Sequence, residues 1–118
     1  MLLTNLIALK YYTAMAAKDL PTVASCLASD VILISPLGKT IGKESVVKAA
    51  EEFMKVFSTL VIRTHFESST HQMVIYDLSV PALIKEVKTA SLISLHEGLI
   101  TEIELFFDAR PFTLPGNI

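Results

Sequence analysis

Few side chains in this 118-residue chain are of types that do chemistry near neutral pH, and their spacing narrows them further. The three histidines, His65, His71 and His96, do not share metal-ligand spacing, so neither a metal nor a cofactor is expected. His65 alone falls inside a predicted long strand, and an imidazole titrates where a general base should. It alternates with Arg63 and Glu67, however, which is the pattern of a solvated or interfacial face. Asp108 is the carboxylate best placed to move a proton. With Arg110 close behind it at the end of a strand, it also fits a structural ion pair. The remaining candidates are hydroxyls. Tyr11 offers a hydrogen-bond donor on the apolar stripe of a helix, or a core tyrosine bonded to a backbone carbonyl. Ser35 precedes Pro36 and suits both a pocket hydroxyl and a turn. Ser91 carries the same ambiguity. The single cysteine, Cys26, reads as a small buried hydrophobe rather than a reactive thiol.

The elements that must position these groups follow from periodicity. Residues 3–17 contain strong helix formers, with Leu3, Ile7, Tyr11, Ala14 and Met15 along one stripe and Tyr12 assigned to the surface or an interface. Asp19 caps a second short helix, with Pro21 in its first turn and Leu20, Val23, Ala24 and Leu27 inward, ending near Ser29–Asp30. Val31 to Ile34 is a strand, Pro36 and Gly38 mark a tight turn, and a helix runs from Gly42 to Phe57. Four predicted strands follow: Leu60–Glu67, Met73–Val80, Val87–Leu95 and Ile100–Phe107. The segment 82–86 is a linker or an edge, His96-Glu97-Gly98 is a hairpin turn, and the tail 113–116 is loosely ordered.

This order implies one α+β domain over residues 1–118, a curved antiparallel sheet wrapped around three N-terminal helices. Such a layout makes a cone, packed at its narrow end and able to hold a ligand at its mouth. Phe53, Phe57, Tyr76 and Phe107 are candidates to line it, each of them equally a core residue. On the last strand Ile103, Leu105 and Phe107 share one face, and Glu102, Glu104, Phe106 and Asp108 share the other.

Composition removes whole classes of function. Hydrophobic residues make up 52% of the chain and charged residues 19%, so extra apolar surface must be buried, in a cavity or against a second subunit. Strands apolar on both faces make a homodimer through the sheet the expected cover. The net charge of −2 and the lack of a basic run exclude a nucleic-acid partner. No run is long enough to span a bilayer, and residues 1–18 lack the basic start of a signal peptide. A lone cysteine fits a reduced, cytoplasmic compartment.

Lys10-Tyr11 through Lys18-Asp19-Leu20, Asp30 through Gly38, Gly42 through Val46, and Gly98 through Ile103 into Phe106-Phe107-Asp108 together resemble the nuclear transport factor 2-like superfamily. Within it they are similar to the SnoaL-like and ketosteroid-isomerase-like proteins. The resemblance covers nearly the whole chain and implies the cystatin-like cone. Steroid isomerases of this kind use an aspartate base before the Pro-x-Gly turn, with a tyrosine and a protonated aspartic acid to hold the enolate oxygen. By resemblance the tyrosine corresponds to Tyr11, the base to Ser35 and the aspartic acid to Ser91. Serine is no base at neutral pH without a partner to take its proton. The limonene-epoxide hydrolases of the same fold place a carboxylate where this chain has Leu105, and the isomerase-like register turns Ile103, Leu105 and Phe107 inward.

Two functions follow. In the first, an apolar pocket binds a small hydrophobic molecule through Tyr11 and Ser35 or Ser91. If it isomerises, cyclises or dehydrates that molecule, Tyr11 stabilises charge and Asp108 or His65 moves the proton. In the second, the domain is a non-catalytic homodimeric interaction module whose cone is filled. An open pocket separates them.

Overall fold

The computed structural model describes residues 6–83 and 85–113. Helices α1 (Ile7–Ala16) and α2 (Leu20–Ser25) lead into strands β1 (Leu27–Ser35) and β2 (Gly38–Ile41), and then into helix α3 (Lys43–Met54). Strands β3 (Thr59–Glu67), β4 (His71–Val80), β5 (Lys85–His96) and β6 (Leu99–Phe106) follow, and a short helix α4 (Arg110–Thr113) closes the described chain. The six strands form one open, curved sheet in the order β2-β1-β6-β5-β4-β3. All neighbours are antiparallel except β1 and β6, which run parallel. The expected α+β cone is therefore present, but its sheet is not wholly antiparallel: β1 and β6, second and third from the β2 edge, form one parallel pair.

Caps and turns set several element ends. Asp19 caps α2, its carboxylate accepting the Thr22 N–H at 3.3 Å, and Pro21 occupies the first turn where no N–H is needed. Gly42 precedes α3 at φ +94°, a left-handed conformation that favours glycine, and donates its N–H to the Val31 carbonyl at 2.8 Å. Helix α1 has no side-chain cap from Leu6; the buried Gln72 of β4 accepts the Ala8 N–H at 2.9 Å instead. Glu97 and Gly98, with φ +52° and +80°, make the two-residue hairpin between β5 and β6.

Three expectations change. The second helix stops at Ser25, and Leu27 belongs to β1, paired with Ile100 of β6. Long-range strand pairing overrides the helical pattern there: the Ile100 N–H donates to the Cys26 carbonyl at 2.8 Å. Tyr12 is not on the surface, being 2% exposed. Helix α1 buries Tyr11 and Tyr12 together, because sheet and helices enclose a wider arc of it than one stripe. Arg110 to Thr113, expected as a closing segment and start of the tail, form α4. Of the other expectations, Leu3 and residues 114–116 lie outside the described residues.

Candidate functional site

Period-two alternation divides the sheet into two faces. Across β4 and β5, Tyr76 pairs with Thr89 and Val74 with Ser91; across β5 and β6, Ser91 pairs with Leu105 and Ile93 with Ile103. Directly opposed residues share a face, so this set lies together on the side that packs against the helices. Helix α1 brings Tyr11, Tyr12 and Met15 to that side, and α3 brings Val46, Ala50 and Phe53.

These elements do not fill the cone. They enclose a cavity of about 290 Å³, close to the small end of the range for ligand pockets. Its walls are Tyr11, Tyr12, Tyr76, Leu33, Leu105, Phe53 and aliphatic side chains of α3, β4 and β5. The half-exposed Leu37, Val56 and Phe112 mark its mouth.

The sequence-derived candidates separate into groups. Tyr11, Ser35, Phe53, Tyr76, Leu105 and Phe107 line the cavity. Phe57, Ser91 and Ile103 do not; they are buried in the core around it. Phe57 is held by Lys18, whose ammonium donates to the Phe57 carbonyl at 2.8 Å and sits 4.7 Å from its ring centroid. His65 is exposed on β3 and Asp108 is exposed beyond β6; neither lines the cavity. The Asp108 carboxylate instead grips the Arg110 guanidinium in two-point fashion, at 2.9 and 2.7 Å, and accepts the Arg110 N–H at 3.0 Å. That pair fixes the start of α4, which carries Phe112 edge-on to Phe107 with centroids 5.6 Å apart.

The hydrogen-bonding groups at the cavity wall are hydroxyls. Tyr12 and Ser91 share a hydrogen bond of 2.7 Å, so Ser91 is occupied by a residue the stripe assignment had placed outside. Tyr12 stacks at a tilt on Tyr76 at 4.6 Å and meets Tyr11 edge-on at 4.9 Å. The Tyr11 hydroxyl has no hydrogen bond to another described residue, backbone carbonyls included. Ser35 accepts the Leu37 N–H at 3.0 Å, so it makes its turn and still faces the cavity. Thr89, which sequence reasoning passed over, is 4% exposed, lines the cavity and has a hydroxyl without a hydrogen-bond partner among the described residues. The signal for it was the alternation Val87, Thr89, Ser91, Ile93, which placed it on the face already assigned to Ser91.

Burial dominates the electrostatics. It pushes the hydroxyls of Tyr11 and Tyr76 well above the ordinary value of 10.0, with neighbouring tyrosines adding to the shift. Tyr12 is raised for the same reason, opposed by its bond to Ser91 and its interaction with Tyr76. All three are neutral at physiological pH. Burial also raises the Cys26 thiol, which donates to the Thr22 carbonyl at 3.4 Å and is thereby unsuited to nucleophilic work. Among the described residues no Asp, Glu, His, Lys or Arg lines the cavity, and no group of side chains could hold a metal. The arrangement can exclude water, grip an apolar body and hydrogen-bond an oxygen. It places no side-chain base within reach.

The family described as the SnoaL-like domain matches residues 8–103. No curated protein matches the chain. Among solved structures, a protein from Kribbella flavida DSM 17836 is 25% identical with a TM-score of 0.82, covering 90% of this chain and 87% of its own. A nuclear transport factor 2-like protein of unknown function from Cytophaga hutchinsonii ATCC 33406 is 25% identical with a TM-score of 0.80, covering 95% and 96%. A steroid delta-isomerase from Pseudomonas aeruginosa is 18% identical with a TM-score of 0.77, covering 91% and 82%, a likeness of fold alone.

Proposed function

This chain belongs to the SnoaL-like domain family, and from that membership we propose that its cone is a receptor site for one small, uncharged, hydrophobic molecule. The observation that carries the proposal is the cavity itself, about 290 Å³ of space walled by aromatic and aliphatic side chains and hydroxyls. A charged ligand would lose its hydration there without meeting a counter-charge, which is costly. The volume holds roughly ten water-sized groups at ~30 Å³ each, which sets the scale of the ligand. Steroid isomerisation by a carboxylate base is not part of this proposal, because the position that resemblance assigns to the base is Ser35, and Ser91 is bonded to Tyr12. Tyr11 holds a ligand oxygen in this reading, and Asp108 organises the rim.

Titration of the purified protein with apolar fragments, followed by calorimetry, tests this. Neutral fragments of the cavity's size should bind, and their carboxylate analogues should bind at least tenfold more weakly. Ala49→Phe, which puts a ring into the cavity from α3, should abolish binding while the protein stays folded. Equal binding by the parent and by Ala49→Phe would remove the cavity from the function.

A second reading concerns the other face of the sheet. Val61, Phe66 and Phe106 are 58%, 59% and 47% exposed there, among half-buried Met73, Ile75 and Leu92. We infer that this face pairs two copies of the chain, leaving both cavities open at their mouths.

A further inference from the structure

Two buried side-chain oxygens lack a hydrogen bond among the described residues, Asp77 Oδ1 and Thr89 Oγ1; Asp77 has Arg63 and Lys88 within ion-pair distance, and Thr89 has no such compensation. It sits midway along β5, opposite Tyr76 of β4, on the face that closes the cavity. Ser91, two residues on and on the same face, is bonded to Tyr12. The Thr89 hydroxyl is buried and has no hydrogen-bond partner among the described residues. Buried hydroxyls are ordinarily satisfied; the Thr89 oxygen belongs to a cavity-lining residue but has almost no open surface, so it is an orphan that a turn about χ1, exchanging it with the methyl group, brings to whatever enters the cavity.

We propose that Thr89 is the polar anchor of the site and selects a neutral ligand bearing a carbonyl-type oxygen, to which it donates its hydroxyl. This rests on the cavity being a receptor site and specifies which molecules it takes. A hydroxyl can donate or accept, but no lining side chain carries a charge, and the neighbouring hydrogen-bonding groups are also hydroxyls able to donate. A ligand oxygen with two lone pairs satisfies Thr89 and still has room for Tyr11, whose hydroxyl is likewise free of hydrogen bonds to described residues. A hydrocarbon of the same shape would fill the volume and leave Thr89 as it is. An acid would bring an uncompensated charge. The site should therefore read the oxygen of a ketone, aldehyde, ester or lactone by one buried hydrogen bond, and read the remainder by shape.

The test uses 1-indanone and indane, a ketone and the hydrocarbon of its skeleton, against the parent, Thr89→Val and Thr89→Ser. The parent should bind the ketone about three- to tenfold more tightly than the hydrocarbon, the value of one net hydrogen bond. Thr89→Val, which keeps the shape and removes the hydroxyl, should bind the two alike. Thr89→Ser should keep the preference. Without ligand, Thr89→Val should melt at or above the parent, since it removes an unsatisfied hydroxyl. A preference that survives in Thr89→Val would overturn the assignment and leave the receptor reading intact. So would a Thr89→Val protein that unfolds or melts below both the parent and Thr89→Ser, because the hydroxyl would then have a structural partner. If the parent binds neither probe, the receptor reading fails and the anchor with it.

Discussion

On β5 and β6 the face toward the helices carries Thr89, Ser91, Ile93, Ile103 and Leu105, and the opposite face carries Lys88, Leu92, Glu102, Glu104 and Phe106. Both sets come from the same two strands, one residue out of step. The helix-facing set has hydroxyls and no charge. The outer set has the carboxylates of Glu102 and Glu104 and a lysine, and across β4 it adds Asp77, which lies 3.8 Å from Arg63 and 4.0 Å from Lys88. Desolvation accounts for this division. A carboxylate facing the cavity would need a buried partner, and none is present among the lining residues. The chain thus keeps the cone of its family while, among the described residues, Asp, Glu, His, Lys and Arg stay off the cavity lining, which supports the receptor reading.

The sharpest way to break this contrast is to empty the two faces one residue at a time. Ile93 is fully buried and its neighbour Leu92 is half-buried on the outer face. Ile93→Ala should cost about 2–5 kcal/mol in chemical denaturation, the usual range for a large aliphatic lost from a core. Leu92→Ala should cost less than half of that at dilute protein. Equal losses would mean that the outer face is packed as tightly as the inner, within one subunit.

The tyrosines extend the contrast to pH. The hydroxyls of Tyr11, Tyr12 and Tyr76 are all raised above 10.0 by burial. Below pH 10 neither the folded nor the unfolded chain ionises them, and stability is unaffected. Above it the unfolded chain releases their protons first, so it binds fewer protons than the folded state and stability falls as pH rises. Each tyrosine contributes at most about 1.4 kcal/mol per pH unit. Denaturation midpoints at pH 9, 10 and 11 should show the decline, with a shallower slope in Tyr76→Phe. An identical slope would mean that Tyr76 ionises as readily folded as unfolded.

Much of this was legible in the sequence because it depends on period and punctuation. Pro36 and Gly38 announced the turn, and Ile103, Leu105 and Phe107 announced the face that turns toward the helices. Ser35 announced that no carboxylate stands before the proline. What was not legible depends on partners distant in sequence. Tyr12 looked like an exposed neighbour of the Tyr11 stripe, since nothing local says that α1 is enclosed on two sides or that Ser91 waits for its hydroxyl. Leu27 looked helical, since its strand partner Ile100 lies far along the chain. Thr89 drew no notice, because a lack of partners is visible only when every neighbour is in place.

The smallest effect on the stability of one subunit should come from the outer face, and it would be the most telling about assembly. Phe106 is 47% exposed and shares that face with Ala90 of β5. In an isolated subunit, Phe106→Lys should change stability by no more than about 0.5 kcal/mol, as for an ordinary surface site. In a pair of subunits joined through this face, the same change places a charge at an apolar contact and should shift the sedimenting species from dimer to monomer. Ligand binding in the cavity should be unchanged, since Phe106 and Leu105 point to opposite faces. A parent protein that sediments as a monomer at high concentration would remove the pairing and leave those exposed rings without a role. A Phe106→Lys dimer as tight as the parent would move the contact to another surface.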